Sequence, residues 1–418
     1  MPSIKFAGEP PPVELKDAES QTNTLSVAES STEPMERPNK RIQTEDRIEK
    51  STGSNVEARD VLLSEDVIYM ILEALKQAKE EDKYFMSLDA LRKDEKLSLR
   101  KYKSVITGVG EKLPVVGLEY GSNRKVCILF GESNHDSWCM HSFGRVLVHH
   151  KGRFTSVDLP TCPTKTIFTE QNQIIIGTHS GQLLVSNRSG ETLWRSSPTD
   201  NLFHTRAVTC LHWLARNQLF SAGMDGKLII STFKSGSTLE SVKSNTVTLS
   251  DLPRALKKGN VTSQRVGIVD VTVGSRQEIY LAGETGAIWT VNSTQDLSIE
   301  PISYERDGIE RCTICPSTDT LILQTPVGEV KSRSPGSLQA SSVKDIRTDV
   351  TFCLMSSSVI IVYNADDGLM GFDMDLGRIV MKEGMLNKVL GIAANDQDGM
   401  IALLNHNYEL IFYEVVSE

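Results

Sequence analysis

Cys312 and Cys315, in the stretch RCTIC, stand at the spacing of half a zinc site. A closed site needs four ligands, and no second CxxC or HxxxH lies elsewhere in the chain to supply the rest. The pair is therefore expected to pack as small apolar side chains on a strand. Eight histidines are spread thinly through the sequence. His149 and His150 are adjacent, so on a strand they would point to opposite faces and share no metal. The isolated histidines read as structural or surface residues. Asp366 and Asp367 sit where a turn is expected, and turn chemistry explains both. Gly108-Val109-Gly110-Glu111-Lys112 lacks the spacing and the hydroxyl of a phosphate-binding loop. Neither a G-x-S-x-G elbow nor an H-E-x-x-H helix occurs. No catalytic residue, cofactor site or metal site is expected.

The net charge of −9 over 418 residues argues against a broad basic surface for tracking phosphates. Bulk nucleic-acid binding is disfavoured, with room left for a local basic patch. No run of about 18 apolar residues occurs, and the first twenty residues lack the apolar core of a secretory signal. The expected location is intracellular, cytoplasmic or nuclear or both, with no membrane contact. The seven cysteines are then reduced thiols.

Three zones follow along the chain. Residues 1–58 are rich in Ser, Thr, Glu and Pro and cannot bury enough apolar area to offset the entropy of ordering, so a disordered tail is expected. Its basic cluster at Arg37-Pro38-Asn39-Lys40-Arg41 reads as a solvated linker, the alternative being a nuclear address. Residues 59–101 read as a helical extension. Ser64 caps a helix with Glu65 and Asp66 in its first turn, and Val67, Ile71, Leu75 and Ala78 follow at helical spacing. A second helix is expected from Ser87 to Arg100. The stripe through Val67, Ile71 and Leu75 either docks on the chain's own domain or serves a protein partner.

From residue 102 to 418 the texture changes to short apolar runs bounded by Gly, Asn, Asp and Ser, an all-β pattern. Turn glycines fall at Gly144, Gly181, Gly226, Gly286, Gly328 and Gly368, and the matching slot of the last unit lies near Tyr408. The successive spacings are 37, 45, 60, 42, 40 and 40 residues. A period of about 40 with strand, turn and strand in each unit is the pattern of a β-propeller. Seven units fit, at about 113–158, 164–201, 205–242, 265–303, 308–345, 349–384 and 387–417. The last lacks an outer strand of its own. Tyr102–Thr107 can supply it, which would close the ring and remove exposed strand edges.

The unit HTRAVTCLHWLARNQLFSAGMDGKLIIST, from His204 to Thr232, resembles the WD-repeat β-propeller family. His204 takes the place of the family's Gly-His histidine, with Phe203 where the glycine would stand. Ser221 and Asp225 match the hydroxyl and the turn carboxylate. The resemblance implies a buried hydrogen-bond network among His204, Ser221 and Asp225. It also implies that the network is incomplete, because Ser231-Thr232 replaces the Trp-Asp pair. The resemblance covers about three quarters of the chain and implies an adaptor.

The 60-residue step holds an excess segment from Ser241 to Arg265, made locally basic by Arg254, Lys257, Lys258 and Arg265. Three functions follow as expectations. The first is a non-enzymatic scaffold that assembles other protein subunits into a hetero-complex. The second is a reader of chromatin or nucleic acid through the basic segment, and the third is a propeller hydrolase with a polar, metal-competent channel.

Overall fold

Ile174, Ile175 and Ile176 are all buried, yet they do not share a core. Successive strand side chains leave on opposite faces. Ile174 and Ile176 therefore join one apolar cluster, and Ile175 joins the next. The computed structural model describes residues 96–417 apart from 110–112, 133–134, 136–138, 140, 142–143, 198–201, 235–236, 258–263, 275–276, 294–295, 335–340, 385–386 and 396. Within it this two-sided burial recurs around seven four-stranded antiparallel sheets. They are the blades of a propeller, blade one at 115–159 and blades two to six at 163–195, 208–246, 268–304, 311–347 and 353–383.

Seven apolar clusters hold the ring together, and each spans the boundary between two neighbouring blades. The strands therefore read as continuous apolar runs, because both of their faces are covered.

Blade seven closes the circle. Three of its strands, Val389–Asn395, Met400–Asn405 and Glu409–Ser417, come from the end of the chain. The fourth, Leu97–Ile106, comes from before blade one and pairs antiparallel with the last strand from Leu97↔Ser417 to Ile106↔Glu409. The expected closing strand is thus present and longer than Tyr102–Thr107. This corrects the helix expected to reach Arg100. Leu97 and Leu99 alternate along a strand and pack beside Tyr413 and Val415, and the open edge of the last strand recruits them. The tail at 1–58 and the helical positions Val67, Ile71 and Leu75 lie outside the described residues.

The turn glycines are needed where the second strand of a blade reverses into the third. Gly181, Gly226, Gly286, Gly328 and Gly368 all have φ between 73° and 86°, and Tyr408 takes the same region at 57°. Gly144 is different, because it opens a strand after a long connection at 131–143. A Cβ there would lie 2.3 Å from the Thr161 carbonyl, so close approach and not turn geometry requires glycine.

Candidate functional site

In an antiparallel meander the turns between second and third strands open on the same face as the connectors between blades. By their place in the strand order three long connections belong to that face, at 131–143, 196–207 and 247–267. The same face carries Leu202 and Val327, apolar side chains that are 60% and 76% exposed.

His204, Ser221 and Asp225 come together beneath this face. His204 Nδ1 lies 3.1 Å from Asp225 Oδ1, and His204 Nε2 lies 2.9 Å from Ser221 Oγ. A carboxylate only accepts, so Nδ1–H donates to Asp225 and the Ser221 hydroxyl donates to Nε2. Asp225 also accepts from the Thr205 and Lys227 amides, at 2.8 and 3.2 Å. Burial would raise its pKa, but the His204 contact and these amides outweigh that and hold it at about 2. The network stops short of Ser231, whose hydroxyl is buried and has no hydrogen-bond partner among the described residues.

The consequence is testable by substitution. Ser221→Ala is expected to cost about 1–2 kcal/mol by leaving His204 Nε2 without a donor, whereas Ser231→Ala should be neutral or slightly stabilising. Because the folded pKa of Asp225 is depressed, its contribution is complete above the usual carboxylate value of 3.8 and is lost as pH falls toward about 2. Denaturant titrations between pH 5 and pH 2 should show this loss, on the order of 2 kcal/mol, reduced in Asp225→Asn.

Three other blades fasten the same turn more locally. Thr178 Oγ1 accepts from the Gln182 amide at 3.0 Å, Thr325 Oγ1 from Glu329 at 3.1 Å, and Asn405 Oδ1 from Asn407 and Glu409, both at 3.0 Å. A search for the family's histidine and acid passes over these residues. A Thr or Asn opening each turn was the available signal.

The 241–265 segment is in part folded back onto the propeller. Thr238–Thr246 is the outer strand of blade three. Beyond it, two 3₁₀ turns at Leu249–Asp251 and Arg254–Leu256 fold back, and Thr248 bridges to Arg265. Leu252 is buried in the same apolar cluster as Trp289, and the Trp289 indole donates to the Asp251 carbonyl at 2.6 Å. Arg254 and Lys257 are exposed, and Lys258 lies outside the described residues.

The central channel encloses about 890 Å³. Two pairs of its charges meet across blade boundaries, Lys165 with Glu119 at 2.6 Å and Arg311 with Asp270 at 3.5 Å. Asp270 also accepts from the Cys312 amide at 2.8 Å and holds the Arg311 pKa above its ordinary value. Glu310, raised by burial, lies 3.4 Å from the Gln324 amide nitrogen. These pairs tie neighbouring inner strands together, and neither Glu119 nor Asp270 is an unpaired acid or base.

Cys312 and Cys315 enter two different inter-blade clusters, as strand packing requires. His149 is wedged beside Phe154 and Phe412, each 5.1 Å away between ring centroids. Asp366 and Asp367 sit in a turn, the Asp366 amide donating to Asn364 and Asp367 pairing with Lys382. One group escaped the sequence reading. His135, Cys139, His141 and Cys162 bring their ligand atoms within 4.8 Å of one another.

No family model matches the chain. The β-propeller domain of Cps50 (Swd1) from Myceliophteria thermophila, known from a crystal structure, superposes with a TM-score of 0.53 at 7% identity. The superposition covers 76% of this chain and 100% of that one. The fold is that of a seven-bladed β-propeller. Cytoplasmic dynein 2 intermediate chain 2 of Mus musculus is 26% identical over 199 residues, which is 42% of this chain. The match spans only 37% of the length of that relative. Among the described residues no helix is long and apolar enough to cross a membrane.

Proposed function

We propose that this propeller is a non-enzymatic scaffold subunit that engages protein partners through its loop face within a hetero-complex. The observation that carries the reading is the exposure of Leu202 and Val327 on the face to which the strand order also assigns the three long connections. The dynein relative is by name one chain of a larger assembly and by name cytoplasmic, which supports a scaffold role in that compartment. The expected helical stripe at Val67, Ile71 and Leu75 is a second contact in this proposal.

Affinity purification of the full chain beside a Leu202→Glu/Val327→Glu variant tests it. Both side chains are exposed, so the variant should fold, yet stoichiometric partners should fall by roughly tenfold or more. Undiminished partners would remove the loop face from the account. Exposed Arg254 and Lys257 on the same face support a second reading, an acidic or nucleic-acid partner. In that case the captured material is nucleic acid and its binding weakens steeply with salt.

A further inference from the structure

The connection at 131–143 is the odd one among seven. Where other blades reverse in a tight turn, blade one spends thirteen residues between Lys125–Phe130 and Gly144–His150. It carries His135, Cys139 and His141 in the pattern His-x3-Cys-x-His, and the connector to blade two adds Cys162. Their ligand atoms all lie within 4.8 Å of one another, and Cys139 Sγ is 3.7 Å from His141 Nδ1. Tetrahedral zinc, with bonds of about 2.3 Å to sulfur and about 2.0–2.1 Å to nitrogen, sets its ligands roughly 3.3–3.8 Å apart. The four donors thus stand within about 1 Å of a closed shell.

The surroundings are built to hold them. Cys162 is buried, and its Sγ accepts from the Glu132 amide at 3.3 Å, the kind of contact that orients a ligating thiolate. Gly131 and Gly144 flank it at the two ends of the connection. A Cβ on either would approach Cys162 atoms at 2.9 Å, so glycine lets both ends close round the sulfur. The His135 ring stacks on His179 of blade two with centroids 3.7 Å apart, and the His179 amide donates to the Cys162 carbonyl at 2.9 Å. All of these cysteines are free thiols.

We propose that His135, Cys139, His141 and Cys162 form a structural zinc site that clamps the blade-one connection onto blade two. Two thiolates and two imidazoles are a soft tetrahedral set that selects zinc over calcium or magnesium, which take oxygen ligands. With four protein ligands the shell has no open position, so the metal shapes the loop face and performs no reaction. The proposal does not rest on the scaffold reading.

The test uses the full chain, purified under reducing conditions without chelator and analysed for bound metal. About one zinc per chain is expected, falling to background in a Cys139→Ser/His141→Asn variant. His141 is exposed and Cys139 half-buried, so the variant should keep its β circular dichroism. Exchange with cobalt should give the visible absorption of a tetrahedral thiolate site in the native chain only. The proposal is overturned if the native chain, reconstituted with zinc and desalted, holds no stoichiometric metal. It is equally overturned if the variant keeps its zinc, or if thiol blocking at lysis reveals a Cys139–Cys162 disulfide.

Discussion

Deleting Ile411 to Glu418 should abolish folding, although it removes only eight residues. Ile411 and Phe412 are buried in two different inter-blade clusters, and losing side chains of this kind costs about 2–5 and 3–5 kcal/mol respectively. That sum alone approaches the whole stability of roughly 5–15 kcal/mol expected of a domain. The loss is also topological. The deleted strand joins Met400–Asn405 to Leu97–Ile106, so its removal strips the closing strand of its partner and opens the ring. The expected result is aggregated or protease-sensitive product. Deleting residues 1–95, which spares the closing strand, should leave a cooperative unfolding transition. A truncated chain that still melts cooperatively near the native temperature would refute velcro-type closure.

Trp289→Ala should be the most costly single substitution. Trp289 is fully buried at the boundary of blades three and four, and truncation of such a side chain costs about 3–5 kcal/mol. Its indole N–H also anchors the Asp251 carbonyl, so the segment from Leu249 to Leu256 loses its floor. Equilibrium denaturation should register the lost stability, and limited proteolysis should show new cleavage near Arg254 and Lys257. Trp213→Ala is the comparison, because Trp213 is only half-buried and its indole bonds the Phe168 carbonyl at 2.9 Å. A Trp289 variant no less stable than the Trp213 variant would show that the segment is not part of the core.

The ring was legible because its signals are local. A turn needing positive φ writes a glycine into the sequence, and five such glycines mark five blades, with Tyr408 marking another. Signals that depend on a distant partner were not legible. Leu97 to Arg100 have helix-forming composition, and only the free edge of the last strand makes them extended. Leu252 gave the 241–265 segment apolar content, but nothing nearby in the sequence names Trp289 as its cover. The zinc-type cluster escaped for the same reason. Three donors lie within seven residues, but the fourth comes from beyond two further strands, and no familiar ligand spacing joins them. In blade three His204, Ser221 and Asp225 share one buried set of hydrogen bonds, and they are legible because the turn and the contacts draw on the same residues.

Cross-linking mass spectrometry of the complex isolated through the full chain tests the central claim most directly. Lys257 and Lys388 lie on connectors of the loop face, whereas Lys151 sits in a turn on the opposite face, and all three are exposed. The loop-face scaffold predicts links from Lys257 and Lys388 to stoichiometric partner subunits, with Lys151 unlinked. Partner links through Lys151 alone, or a chain isolated without any stoichiometric protein, would contradict it.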